Sequence, residues 1–187
     1  AASVVYKRQE EELPGETPAD YVLRTAVTKL MDGIAARNEL DNPCMDAPVL
    51  AADTVVSLGG KILGKPRDLE EAARFMRELS GRTHEVRTAV AVGRSREDYR
   101  ALVVLSRVTM RPISEEEIGR YVMTDEPYDK AGGYGIQGLA GLFVQSVAGS
   151  YTGIMGLPVC EAAELLKSYG APAPALFQPM PTSSTSK

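Results

Sequence analysis

One acidic residue interrupts the apolar run at residues 49–58. Asp53, followed by Thr54, stands near the centre of this otherwise hydrophobic segment. An ionised carboxylate is costly to bury unless a partner compensates its charge. One interpretation places Asp53 at a strand end, where it caps a neighbouring turn. The other places it in a cleft, where it would handle a metal ion or a water molecule, with Lys65 supplying positive charge nearby.

Three other features carry groups that could meet a ligand. Lys29 lies beside the apolar face of a predicted helix, so its side chain either reaches solvent or points along a sheet edge at an anion. Residues 132–138 contain four glycines around Gln137; they form either a plain turn or a loop whose backbone approaches a ligand closely. His84 is the only histidine, and a structural hydrogen bond is favoured over a metal or catalytic role.

The elements that must position these groups alternate between strands and helices. Helix starts are indicated by capping residues at Thr17, Asp68 and Ser114, and Gly59-Gly60 indicates a hairpin turn. The predicted strands cover residues 49–52 with a continuation at 55–58, then 62–63, 84–92, 101–110 and 142–147; a last helix runs from Pro158 to Gly170. This alternation predicts an α/β fold. The glycine and Walker fingerprints of doubly wound nucleotide-binding folds are absent from the sequence.

Length and composition restrict the class of protein further. A chain of 187 residues fits one domain, predicted at 1–170, and the Pro-, Ala- and Ser-rich residues 171–187 are predicted to be a disordered tail. The net charge of −4, with no basic face, argues against a nucleic-acid partner. No apolar run is long enough to cross a membrane. We expect a cytoplasmic protein.

Five short segments occur in an order that is typical of one known family. They are Val49-Leu-Ala-Ala-Asp-Thr-Val-Val, Ile62-Leu-Gly-Lys-Pro, Leu79-Ser-Gly-x-x-His-x-Val, Asp129-Lys-Ala-Gly-Gly-Tyr-Gly-Ile-Gln-Gly and Gly149-Ser-Tyr-x-x-x-x-Gly-Leu-Pro. Together they resemble the Maf family of nucleoside triphosphate pyrophosphatases, over the chain from about Glu10 to Gly170. The resemblance implies a Maf/inosine-triphosphatase-like fold: one domain with a mixed, twisted sheet flanked by helices.

The resemblance also implies a reaction and its machinery. A nucleoside triphosphate would be hydrolysed to the monophosphate and pyrophosphate with a divalent metal ion, Mg²⁺ or Mn²⁺. Asp53 matches the proton acceptor of the family, and Asp53 with Glu10 would bind the metal. Carboxylate oxygens are hard ligands, which suit these ions.

Four further residues match positions that bind the substrate in the family. Lys29 and Lys65 would hold the phosphate charge. Thr54 and Gln137 match the branch of the family that acts on dTTP and UTP. An amide such as Gln137 offers both a donor and an acceptor to a base edge. The partner would thus be the nucleotide itself, and the family resemblance suggests a homodimer.

One family motif has no counterpart in the sequence. The family begins with a strand and a Ser-x-Ser-Pro-Arg-Arg loop that binds phosphate, and residues 1–16 do not match it. Arginine gives bidentate hydrogen bonds that lysine cannot reproduce. We therefore expect weak or no activity from this chain as written. The alternative function is a non-catalytic, Maf-like nucleotide-binding protein that regulates septum formation.

Overall fold

The computed structural model describes residues 11–40, 44 and 46–170 of the chain. Glu10 and the predicted tail, 171–187, lie outside the described residues. The strands are β1 Val49–Leu58, β2 Lys61–Leu63, β3 Thr83–Gly93, β4 Tyr99–Met110 and β5 Val144–Ala148. They form one five-stranded sheet in the order β2-β1-β3-β4-β5.

All strand pairs within the described part of the chain are antiparallel. The predicted hairpin between β1 and β2 is confirmed: Gly59 and Gly60 both have positive φ, 58° and 85°, which a tight two-residue turn requires. The α/β class and the flanking helices are also confirmed. The family resemblance implied a mixed sheet, and the part of the sheet that the structure describes is antiparallel throughout. Short hairpins account for two of these pairs, β1–β2 and β3–β4, because a hairpin can only pair strands antiparallel.

Capping residues explain where the main helices begin. The helices are α1 Pro18–Asn38, α2 Leu69–Leu79, α3 Glu115–Tyr121, α4 Tyr151–Ile154 and α5 Val159–Ser168. The side chains of Thr17 and Asp68 accept hydrogen bonds from the first turns of α1 and α2, and Ser114 forms a capping box with Glu117. Such a cap typically contributes about 1 kcal/mol. The three predicted helix starts are therefore correct.

The segment after the third helix was predicted less well. Leu142 and Phe143 belong to a 3₁₀ turn, and β5 begins only at Val144. The short helix α4, Tyr151–Ile154, is not among the helices predicted from the sequence. Apolar residues precede β5 without a break, so periodicity alone does not mark its start.

The sheet is covered on both faces. Helix α1 packs on one face, where Val22 and Ala26 contact Val55 and Ala89. The opposite face carries two separate clusters. The larger one joins α2, α3 and β2; its members include Leu63, Phe75, Met76, Leu79, Val86, Val108, Ile118 and Tyr121. The smaller one joins α5 to β3; it comprises Val90, Val92, Ala162 and Tyr169. Among the described residues, no helix has the length and hydrophobicity needed to cross a bilayer.

Candidate active site

A cavity of about 460 Å³ lies on the sheet face opposite α1. Its floor is formed by β1 and β3, and its walls by the glycine-rich loop (residues 129–140) and α4. Four residues predicted from the sequence line it: Asp53, Thr54, Lys65 and Gln137. Its volume is within the range of about 300–1,000 Å³ that is usual for small-molecule sites.

The cavity reaches an open stretch of the sheet edge. β2 pairs only with residues 56–58 of β1, so residues 49–55 have no strand on that side among the described residues. Asp53 lies within β1, opposite Ala89 of β3, and not at a strand end. The interpretation of Asp53 as a turn cap is therefore wrong. Successive side chains alternate between the two faces of a sheet, so Asp53 and Thr54 point to opposite faces beside the same open edge.

Two side chains of α1 hold the carboxylate of Asp53. The ammonium group of Lys29 donates to Oδ1, and the hydroxyl of Thr25 lies 2.6 Å from Oδ2. The side chain of Asp53 is 18% exposed and that of Lys29 is 30% exposed. Lys29 thus pairs with Asp53 at the sheet edge, as one interpretation of its position allowed. Each carboxylate oxygen retains acceptor capacity for a water molecule or a cation.

Thr54 begins a hydrogen-bonded chain that runs from the cavity into the buried interior. Its Oγ1 lies 2.8 Å from Oγ1 of Thr88, the residue opposite it on β3. The Oγ1 of Thr88 donates to the carbonyl oxygen of Gly153 in α4, at 2.6 Å. Thr88 is 1% exposed. The chain links the cavity floor to α4.

Lys65 and Asp129 bring opposite charges to the cavity wall. The ammonium group of Lys130 donates to Asp129 at 2.7 Å. That hydrogen bond, with a contribution from the positive charge of Lys65, lowers the pKa of the Asp129 carboxyl. Lys65 lines the same cavity, and a lysine ammonium group can bind phosphate as a point charge.

The carboxylate of Glu126 organises the glycine-rich loop. Its oxygens accept from the backbone N–H groups of Gly135, Leu139 and Ala140 at 3.3, 2.6 and 3.0 Å, and the hydroxyl of Tyr121 lies 3.0 Å away. Burial tends to raise the pKa of Glu126, but these hydrogen bonds outweigh it and the pKa is lowered. Gln137 lies on the turn that the loop makes around this carboxylate.

The glycines of the loop are needed by the protein itself. A Cβ at Gly138 would lie 2.1 Å from Oε2 of Glu126, and a Cβ at Gly132 would lie 2.8 Å from Cγ1 of Val56. Gly132 also has φ +72°, a conformation that side chains disfavour. The loop is therefore glycine-rich because it wraps closely around Glu126 and β1. Close approach of a ligand is not needed to explain these two glycines.

His84 anchors the loop to the sheet. Its Nε2 lies 2.6 Å from the hydroxyl of Tyr134, with the two rings nearly perpendicular. Burial lowers the pKa of His84 to about 4 and raises that of Tyr134. The predicted structural hydrogen bond is confirmed, and it connects β3 to a loop that lines the cavity.

Sequence reasoning missed several residues of the site. Thr25 lies one helical turn before Lys29, so the i, i+4 spacing could have indicated it. Thr88 meets Thr54 only through the strand register, which the sequence does not reveal. Glu126 resembles an ordinary acidic residue before a proline. Glu10, the second predicted metal ligand, lies outside the described residues.

The donor set suits a metal that is shared with a substrate. The described residues contain no group of three or more His, Cys, Asp or Glu side chains that could hold a metal ion. Mg²⁺, however, commonly binds through one or two carboxylates, water and substrate phosphates. Asp53, with acceptor capacity left at the open edge, fits that mode of binding.

Comparison with known proteins places the chain in a family. A family model described as Maf-like protein matches residues 2–169. The chain therefore belongs to the Maf family, as the five segments indicated.

Similar proteins named dTTP/UTP pyrophosphatase occur in several bacteria. The protein of Dechloromonas aromatica (strain RCB) is 51% identical over 162 residues, which cover 86% of this chain and 79% of that protein. The Bordetella parapertussis protein is 52% identical over 168 residues, 88% of this chain and 78% of its own. The Escherichia coli (strain K12) protein is 47% identical over 163 residues, 87% of this chain and 79% of its own.

Proposed function

We propose that this protein hydrolyses dTTP and UTP to the nucleoside monophosphate and pyrophosphate. The observation that carries the proposal is the position of Asp53, held by Lys29 at an open sheet edge beside a cavity lined by Lys65 and Gln137. The names of relatives about 50% identical to this chain support it. Phosphoryl chemistry needs positioned groups and charge stabilisation more than covalent help from the protein, and this site supplies both.

Asp53 acts as the proton acceptor. A water molecule attacks a phosphorus of the α–β anhydride, and its proton passes to a carboxylate oxygen of Asp53. The bond from that phosphorus to the bridging oxygen breaks, which releases the nucleoside monophosphate and pyrophosphate. Lys29 and Thr25 orient the carboxylate for this transfer through their contacts with Oδ1 and Oδ2. Lys65 neutralises phosphate charge at the cavity wall.

Thr54 and Gln137 recognise the base. Both line the cavity, and between them they offer hydroxyl and amide groups for a base edge. A site that pairs with the right base leaves its own polar groups unpaired with the wrong one, which gives strong discrimination.

Asp53 would hold a divalent metal ion, Mg²⁺ or Mn²⁺, together with phosphate oxygens and water. When bound, the metal neutralises phosphate charge and makes a bound water more acidic. We expect excess EDTA to abolish turnover and added Mg²⁺ or Mn²⁺ to restore it. Full activity in EDTA would contradict this requirement.

The function is tested by incubating the purified chain with dTTP, UTP, CTP and GTP in Mg²⁺ and measuring both products. We expect equimolar monophosphate and pyrophosphate, with the highest kcat/KM for dTTP and UTP. An Asp53→Asn preparation made in parallel controls for contaminating hydrolases. Slow turnover would agree with the weak activity expected from residues 1–16, which do not match the phosphate-binding motif of the family. Orthophosphate in place of pyrophosphate, or no turnover of any nucleotide, would refute the proposal. Nucleotide binding without turnover would instead favour the non-catalytic alternative.

A further inference from the structure

The hydroxyl chain from Thr54 to Gly153 has a fixed direction. The oxygens of Thr88 and the Gly153 carbonyl are 2.6 Å apart, and a carbonyl oxygen can only accept a hydrogen bond. The single hydroxyl hydrogen of Thr88 must therefore lie between these two oxygens. Because Thr88 is buried, water does not offer its hydroxyl another partner.

The direction of the Thr88 hydroxyl determines that of Thr54. Oγ1 of Thr54 lies 2.8 Å from Oγ1 of Thr88, and Thr88 has no second hydrogen to donate. This short contact is favourable only when Thr54 donates to Thr88. The oxygen of Thr54 then presents only lone pairs to the cavity that it lines.

We propose that Thr88 is a positioning residue for specificity, which makes Thr54 an obligate hydrogen-bond acceptor for the N3–H group of uracil or thymine. The proposal rests on the proposed function, and it names the chemical feature of the base that is read. Uracil and thymine carry a hydrogen at N3, whereas N3 of cytosine is an acceptor. Two acceptors facing each other leave a desolvated lone pair without a partner, which is costly.

The test is the ratio of kcat/KM for UTP to that for CTP in wild type and Thr88→Val. The valine removes the acceptor for the Thr54 hydroxyl, which can then turn its hydrogen toward N3 of cytosine. We expect the UTP/CTP ratio to fall by roughly tenfold, the scale of one mispaired buried hydrogen bond, mainly because CTP turnover rises. Thr88→Ser keeps the hydroxyl and should keep the ratio.

The Thr88→Val variant is expected to fold. Valine has nearly the shape of threonine, and the Gly153 carbonyl still accepts from the backbone N–H of Gly156 at 3.0 Å. A matched control exists in the same sheet. Thr83 and Thr109 also pair across two strands with their hydroxyl oxygens 2.8 Å apart, in an exposed position. Thr83→Val should leave the UTP/CTP ratio unchanged.

A double-mutant cycle separates the possible outcomes. Thr54→Val should lower the ratio, and adding Thr88→Val to it should change nothing more, because Thr88 acts only through Thr54. A Thr88→Val ratio equal to that of wild type would overturn the inference and leave the proposed function intact. If wild type hydrolyses no nucleotide, the proposed function fails. In that case the inference is tested by the Kd values of UMP and CMP for the same variants. It requires wild type to bind UMP more tightly than CMP, and this difference in Kd to be smaller in Thr88→Val.

Discussion

Two of the carboxylates near the cavity, those of Asp53 and Glu126, are held in opposite ways. Asp53 receives its hydrogen bonds from two side chains of α1, one on each oxygen. Glu126 receives three from backbone N–H groups, and the Tyr121 hydroxyl adjoins it. A carboxylate has about four acceptor sites. Asp53 can therefore still accept hydrogen bonds from a ligand or bind a cation, whereas the acceptor sites of Glu126 are occupied by the loop around it.

This difference shows that the residue type does not reveal the role of a carboxylate. Asp53 belongs to a strand–helix region in which regular elements fix each side chain. Glu126 belongs to a loop region in which a side chain fixes the backbone. We infer that changes to the first region affect the chemistry, and that changes to the second affect stability and the placement of Gln137.

The largest effect should come from Asp53→Asn. The amide keeps the shape of the side chain but cannot accept a proton, so we expect kcat to fall by roughly 10²- to 10⁴-fold, the scale of a lost general base. The thermal midpoint should change little, because the side chain of Lys29 is 30% exposed and can reach water. Glu85→Gln, a change to another strand carboxylate on the same face, is the control. Near-normal turnover in folded Asp53→Asn would contradict the inference that changes to the strand–helix region affect the chemistry.

The second prediction concerns the attachment of the loop at acid pH. Burial lowers the pKa of His84 to about 4, from about 6.5 in an unfolded chain. Between these values the unfolded state binds a proton that the folded state does not. Stability therefore falls as the pH drops from about 6.5 to 4, by up to about 3 kcal/mol. Urea unfolding at a series of pH values measures the loss.

Two variants identify the source of that pH dependence. His84→Gln removes the only histidine of the chain and should flatten the stability curve between pH 5 and 6.5, above the range where carboxyl groups titrate. Tyr134→Phe removes the hydrogen bond but leaves His84 buried, so the slope should remain. If stability no longer depended on pH in Tyr134→Phe, the hydrogen bond to Tyr134, and not burial, would be what lowers the pKa of His84.

A smaller effect is expected from Glu126→Gln. The amide keeps one acceptor oxygen but points an NH₂ group at backbone donors. Losing charge-assisted hydrogen bonds should lower the free energy of unfolding by about 2 kcal/mol. Hydrogen exchange at the amides of Leu139 and Ala140 should speed up. Glu116→Gln, in an exposed pair with Arg120, should do neither. Unchanged hydrogen exchange in Glu126→Gln would mean that the loop keeps its conformation without the carboxylate of Glu126.

The sequence predicted the strand–helix region far better than the loop region. Local capping signals located α1, and one interruption in an apolar run identified Asp53. The contacts of Thr88 and Glu126 depend on strand register and on loop closure, which join residues far apart in the chain. No periodicity encodes such contacts. The sequence therefore singled out Gln137 and the glycines of the loop as candidates, but it did not indicate that the loop encloses the carboxylate of Glu126.

The smallest predicted effect tests whether Asp53 needs both of its side-chain partners. The hydroxyl of Thr25 lies 2.6 Å from Oδ2 of Asp53 and 3.0 Å from the carbonyl of Val22, and it has one hydrogen to share between them. Thr25→Val keeps the shape, so the fold should survive, while Oδ2 loses a fixed donor. We expect kcat to fall about fivefold with little change in KM, which corresponds to about 1 kcal/mol, the scale of one hydrogen bond. Thr28→Val is the control, since that hydroxyl bonds to Arg24 on the same helix. Thr25→Ser should restore turnover. If Thr25→Val is as active as wild type, Lys29 alone orients the carboxylate, and the hydrogen bond from Thr25 to Asp53 is not needed for the reaction.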